Sequence, residues 1–209
     1  GAPGAGKGTA GDWITARYSI PKISTGDILR GEVSRKSPLG IRVEKYLKSG
    51  KLVPDKIIIS VLESRLKKGG LRKGFILDGF PRTIGQAKAL DGLLKKLKVS
   101  MSAVVNLNVK KGIIIKRLVN RRMCPKCGAN YNLFSMPPKK KGLCDRCGSK
   151  LYQRNDDRKS VILNRLKVYA AQTKPLIKYY SAAAMLRDID GNSGMKHVSA
   201  AITGILKSL

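Results

Sequence analysis

The chain has 209 residues, 43 of them Lys or Arg and only 13 Asp or Glu, for a formal charge of +30 at pH 7. No run approaches the roughly 20 apolar residues of a membrane-spanning helix, and a hydrophobic content of 42 % is that of a folded core and not of a disordered tail. Such a field attracts nucleotides, nucleic acid and anionic surfaces alike, so it narrows the partners but not the fold.

The chain opens GAPGAGKGT, and Gly1 to Lys7 follow the spacing of a phosphate-binding loop. Glycines let backbone N–H groups curl around a phosphate, and the helix after the loop adds its positive end. Gly8 stands where Ser or Thr usually comes after the lysine, which moves the first hydroxyl to Thr9. A flexible glycine-rich start is the plain alternative. Residues 6 to 19 are predicted as a helix, with Trp13, Ile14 and Arg17 at helical spacing. A phosphate loop normally comes after a strand. None stands before Gly1, so residues upstream of this stretch are expected to supply it.

Ser24-Thr25-Gly26-Asp27 carries a helix-start pattern, and Pro38 and Pro54 punctuate the stretch after it. Residues 57 to 68 read as a helix stopped by Gly69-Gly70. Residues 75 to 77 read as a buried strand ending at Asp78-Gly79-Phe80-Pro81. An amphipathic helix is predicted over 86 to 98, a strand over 103 to 109 and a basic helix over 112 to 122. After the cysteine segment come a helix over 159 to 173, another opened by Pro175, a short strand near Ile189 and a last helix over 198 to 206. Strands separated by helices predict an α/β fold with a parallel sheet covered on both faces. The lone His197 reads as structural, on a surface helix.

Cys124-x-x-Cys127 and Cys144-x-x-Cys147 form two pairs in a segment rich in Gly, Pro and Lys. No export signal is legible, and in the cytoplasmic setting then expected, paired Cys-x-x-Cys reads as a metal site before a disulfide. Four thiolates leave no open coordination position, so the metal is expected to be structural zinc. Disulfides and a nucleic-acid-binding ribbon remain as alternatives. Residues 117 to 154 hold ten Lys and Arg against one Asp, which suits a polyphosphate as well as a nucleic acid.

The blocks GAPGAGKGT, ISTGDILR (23–30), KLVPD (51–55), LDGFPRT (77–83), Arg117 with Arg121-Arg122, and RNDD (154–157) come in a fixed order. Together they make the whole chain resemble the adenylate kinases, in the long form whose lid carries zinc. The resemblance implies a P-loop NTPase-like doubly wound parallel sheet with two insertions: a core of 1–23, 54–116 and 155–209, a small helical monophosphate-binding segment at 24–53, and a zinc-bearing lid at 117–154. It implies reversible transfer of a phosphoryl group from MgATP to AMP, giving two ADP, in a monomer with no membrane partner and at most non-specific contact with nucleic acid.

Residue by residue, the resemblance puts Gly4, Ala5, Gly6, Lys7, Gly8 and Thr9 on the ATP phosphates. Arg117 falls at the adenine of ATP, Arg121 at its phosphates and Tyr131 in the lid near the base. Thr25, Arg30, Lys51, Leu52, Val53, Gly79, Arg82 and Gln86 fall on the AMP side. Arg154 and Arg165, counted with the AMP side, close on the transferring phosphoryl group, and Asp78 holds Mg²⁺ through water. Lys7, Asp78, Arg82, Arg121, Arg154 and Arg165 are the expected catalytic group. Asp156 and Asp157 are expected to orient arginines. Asn132 and Phe134 depart from the histidine and aliphatic residue that relatives often carry there. A kinase with a broader choice of monophosphate, and a basic zinc ribbon on an inactive kinase core, are the competing readings.

Overall fold

The computed structural model describes residues 1–69, 71 and 73–209. In chain order the elements are α1 (Lys7–Tyr18), β1 (Lys22–Ser24), α2 (Thr25–Ser34), α3 (Pro38–Ser49), α4 (Asp55–Lys67), β2 (Ile76–Asp78), α5 (Ile84–Lys96), β3 (Val104–Asn108), α6 (Lys111–Val119), β4 (Arg121–Met123), β5 (Asn130–Asn132), α7 (Lys159–Val168), α8 (Pro175–Ala182), β6 (Leu186–Asp190) and α9 (Met195–Lys207). A 3₁₀ turn, Asn155–Asp157, leads into α7.

The helix starts reflect local chemistry. Ser24 accepts from the Asp27 N–H, Ser37 from Gly40 and Thr83 from Gln86, so three helices open on a hydroxyl that satisfies a free backbone donor. Pro38 and Pro175 occupy first-turn positions, where a missing N–H costs nothing. Gly50 ends α3 at φ 71°, a left-handed conformation that glycine adopts without strain. The Gly70 half of the expected stop after α4 lies outside the described residues. Gly69 has a φ of 77°.

The core strands pair in parallel, as expected, β1 with β2 and β3 with β6. Helix α1 packs on β1 and β2 on one side and on α9, which covers β6, on the other. Gly1 lies so close to β3 that a Cβ there would sit 2.8 Å from the Leu107 carbonyl oxygen. The largest apolar core gathers Ile23, Leu62, Phe80, Leu90 and Leu94 beneath α2 to α5, and a second joins Ala5, Leu107, Ile189 and Ile202. Among the described residues no helix is long and apolar enough to cross a membrane.

Two expectations need correction. The basic helix stops at Val119, not Arg122. Asn120 leaves helical geometry, and Arg121 to Met123 become strand β4, paired antiparallel with β5. The helix expected over 159–173 widens at Tyr169–Thr173 into a π turn. There the Thr173 hydroxyl donates to the Arg82 carbonyl at 2.9 Å, so the irregularity ties α7 to the loop after β2.

Gly40 fixes how α2 and α3 meet. A Cβ there would lie 2.2 Å from the Glu32 carbonyl oxygen and 2.4 Å from its carbon, both backbone atoms that cannot move aside. Gly40→Ala should therefore cost about 1–3 kcal/mol in chemical denaturation. Gly92→Ala, in α5 with open space around it, should be neutral or gain up to about 1 kcal/mol.

Candidate active site

The phosphate loop, the turn after β2 and the segment from Arg154 to α7 meet around one cleft of about 2220 Å³. Its lining also takes in core side chains such as Leu90, Leu94, Val105 and Leu186. The polar part is lined by Lys7, Arg30, Arg82, Arg121, Arg154 and Arg165, with Asp27, Asp78 and Asp156. Residues drawn from six separate stretches of sequence thus place six cations on one space.

In the loop, Gly4 and Gly6 have φ of 80° and 103°, and a Cβ on Gly4 would lie 2.7 Å from Leu118. Only glycine allows that turn against α6. Ala5 is buried in the core. Lys7 Nζ donates to the carbonyls of Gly1 and Ala2 at 2.6 and 2.8 Å, so its ammonium is held inside the loop's own curve. Gly8 stands beside Asp78: a Cβ on it would lie 3.7 Å from Asp78 Oδ2. Burial pushes the Lys7 pKa down to about 8. Asp78 partly offsets that, and Arg82, Arg165 and Arg121 add to it.

The arginines are held by acids and carbonyls. Arg121 grips Asp157 with two bonds, Nε to Oδ2 at 2.8 Å and Nη2 to Oδ1 at 2.6 Å. Arg165 reaches the same Oδ1 at 3.1 Å and Asp156 Oδ2 at 3.2 Å. Asp157 is fully buried. Asp27 Oδ1 bridges Arg30 at 2.5 Å and Arg154 at 3.4 Å. Burial pushes the Asp27 pKa up, but Arg30, Ser24 and Arg154 outweigh it and hold it at about 2. Arg82 donates from Nε to the Gly79 carbonyl at 2.7 Å, and the Thr25 hydroxyl donates to the same oxygen at 3.1 Å. Burial and then the charges of Arg165 and Arg30 push the Arg82 pKa down to about 10. These groups share one desolvated space and repel one another.

Arg117 lies beside the loop, not among the phosphate arginines. Its Nη2 donates to Gly191 O at 2.9 Å and its Nη1 to Ala5 O at 3.4 Å. Leu52 and Gly79 line the cleft, Val53 is in the core and Lys51 is exposed outside the lining. Gln86 is buried and bonded to Asp55 and to the Arg82 N–H. Tyr131 is committed to the lid's own core: its ring packs with Cys124, Ala129 and Cys144, and its hydroxyl accepts from the Asp145 N–H at 2.8 Å. Asn132 closes the next loop, accepting from the Phe134 and Ser135 N–H groups and donating to Arg117 O. That leaves Phe134 exposed under the Lys116 ammonium, 3.3 Å from the ring centroid.

The four cysteine sulfurs lie within 4.8 Å of one another, and all four thiols are free. The pairs 124–147 and 127–144 stand 3.4 and 3.5 Å apart. Sulfurs around one tetrahedral ion at about 2.3 Å would stand about 3.8 Å apart, so the donor set fits a single closed metal site, and none of the four thiols is paired in a disulfide. The site makes up most of a very small core that adds only Ala129, Tyr131 and Leu151.

Parallel strands, a glycine loop opening a helix and a ring of cations around one cleft define a P-loop nucleotide-binding protein of the phosphoryl-transfer class. The comparisons narrow that class. The family model for adenylate kinase matches residues 1–185. The chain is 46 % identical over 209 residues to an adenylate kinase of Methanocella arvoryzae, covering all of this chain and 97 % of that one. It is 48 % identical over 208 residues to one of Citrifermentans bemidjiense and 47 % identical over 207 to one of Brevibacillus brevis, each again covered to 97 %. The chain belongs to the adenylate kinase family.

Sequence reasoning missed Asp55 as the partner of Gln86 and the Gly191 carbonyl as the partner of Arg117. Asp55 stood inside the KLVPD block, but only the fold brings it to α5.

A Lys7 pKa near 8 has a consequence in each direction. The folded value lies below the ordinary 10.5, so the free protein gains stability from this group as pH rises from about 8 to 10.5. Bound phosphate should raise it again. A triphosphate binding at pH 8 should then take up about half a proton, read as a dependence of the calorimetric enthalpy on buffer ionisation. Lys7→Arg should abolish that uptake.

Proposed function

We propose that this site transfers the terminal phosphoryl group of MgATP to AMP, reversibly, giving two ADP. The observation that carries the reading is the convergence of Lys7 and five arginines on one cleft between the phosphate loop and the α2–α3 segment.

Phosphoryl transfer asks little covalent chemistry of a protein. It asks for in-line placement, excluded water and positive charge around the moving group. The loop N–H groups of Gly4 to Thr9 would cradle the donor phosphates, with Lys7 turning from the Gly1 and Ala2 carbonyls to the terminal phosphate. Arg30 and Arg82 would grip the acceptor phosphate, each guanidinium spanning two oxygens. Arg121, Arg154 and Arg165 would surround the phosphoryl group in flight, where charge spreads over its oxygens. Arg117, fixed between Ala5 and Gly191, offers a planar face to the donor base. Gln86 would read the acceptor base. Mg²⁺ bound with ATP would supply positive charge at the phosphates, and Asp78, at the end of β2 beside Gly8, would hold its water shell. No side chain need act as general base.

Residues 24–53 and 117–154 would close over the two nucleotides and exclude water. Zinc on Cys124, Cys127, Cys144 and Cys147 would hold the lid rigid, because its few apolar residues cannot do so alone. A reducing, cytoplasmic setting keeps those thiols available. An inactive kinase core has no need for these six cations in one cleft, so the ribbon reading has no support in the site.

ADP formation from MgATP, measured with AMP, CMP, UMP and GMP in turn, tests the reading. Fast turnover with AMP is expected, and Lys7→Met should lower kcat by about 10²–10³-fold. No turnover with any acceptor would overturn it. A strong chelator should lower Tm before it lowers activity at low temperature. An unchanged melting curve after the metal is shown to be gone would remove the lid assignment.

A further inference from the structure

Gln86 is 2 % exposed, and its side-chain amide is held from both ends. Nε2 donates to Asp55 Oδ1 at 2.7 Å, and Oε1 accepts from the Arg82 backbone N–H at 2.7 Å. The chemistry of the partners fixes which end is nitrogen. A carboxylate accepts and a backbone N–H donates, so the reversed amide would face donor to donor and acceptor to acceptor. The other Asp55 oxygen accepts from the Thr83 hydroxyl at 2.8 Å, and that hydroxyl accepts from the Gln86 N–H at 3.1 Å. Asp55, Thr83 and Gln86 thus form a closed ring of hydrogen bonds joining α4 to α5. Gly85 leaves room for it: a Cβ there would stand 3.2 Å from Asp55 Oδ2.

After these bonds the amide keeps one free N–H and one free lone pair, in fixed order. The amide lies one hydrogen bond from Arg82, which lines the cleft. Adenine offers a ring-nitrogen acceptor beside an amino donor and matches that order. Hypoxanthine and guanine offer a ring N–H beside an oxo oxygen and reverse it. Cytosine behaves as adenine does, and uracil as hypoxanthine does. A buried mismatch of this kind is costly because each unmade bond leaves a desolvated polar group.

We propose that Asp55 is a positioning residue for acceptor specificity. By locking the Gln86 amide it selects amino-type bases, adenine first, and rejects oxo-type bases. The inference rests on the acceptor reading above, in which Gln86 faces the base.

The test is kcat/KM for AMP and IMP, and for CMP and UMP, with MgATP, in the full chain and three variants: Asp55→Asn, Gln86→Ala and the double variant. The original chain should prefer AMP over IMP by at least about 10²-fold and CMP over UMP. Asp55→Asn can present Gln86 with a donor as well as an acceptor, so the AMP-to-IMP ratio should fall about tenfold or more. In the Gln86→Ala background, Asp55→Asn should leave the ratio unchanged, because Asp55 acts only through the amide. A merely structural Asp55 would lower activity with both acceptors and leave the ratio alone. That outcome, or the same ratio change in both backgrounds, overturns the proposal. Should circular dichroism show the variants unfolded, the original chain still decides: equal turnover of AMP and IMP overturns the proposal, and preference for the amino base in both pairs supports it. No turnover with any acceptor overturns the kinase reading and this inference with it.

Discussion

Asp157 is the anchor on which the cleft depends. It is fully buried and holds Arg121 with two bonds and Arg165 with a third. A carboxylate in that position is unfavourable alone, and so are two guanidiniums out of water. Together they satisfy one another in one geometry. Asp156 and Asp27 extend the arrangement to Arg30 and Arg154, each carboxylate bridging a pair of arginines. Six cations face four acids, counting Asp78. The surplus of positive charge suits an anion as long as a phosphate chain.

The lid obeys a different rule. It has almost no apolar interior, and its sulfur cluster and Tyr131 hydroxyl replace one. A knuckle held by a metal could carry its six exposed basic residues, Lys126, Lys139, Lys140, Lys141, Arg146 and Lys150, because its stability would not depend on burying much area. Acids are placed sparingly across the whole chain. With 13 of them in 209 residues, several serve a local purpose, such as the Asp55 ring, the Asp91 bond to Tyr179 or the Asp12 pair with Lys22. Among the described residues, Lys22, Lys48 and Lys67 pair with acids, and most other surface lysines form no ion pair.

The features legible along the chain were local. Ser24 and Pro175 announce helix starts because capping and first-turn geometry reach only three or four residues. Lys7 and the cysteine pairs carry their chemistry in their spacing. The end of α6 was not legible, because Arg121 to Met123 leave the helix only to pair with Asn130 to Asn132, a tertiary choice that overrides helical propensity. The π turn at Tyr169 answers to Arg82, 91 residues away from Thr173 in the chain. Resemblance placed the arginines in one site, but only the fold shows which acid holds which.

The most direct measurement is kcat for Asp157→Asn, taken at a temperature where its melting curve shows it folded. If the clamp organises the arginines, kcat should fall by about 10²-fold or more, with a stability loss of about 3–5 kcal/mol for the broken buried pair. A kcat within twofold of the original chain would show that Arg121 and Arg165 find their places without Asp157. The Asp157 clamp would then no longer account for the chemistry.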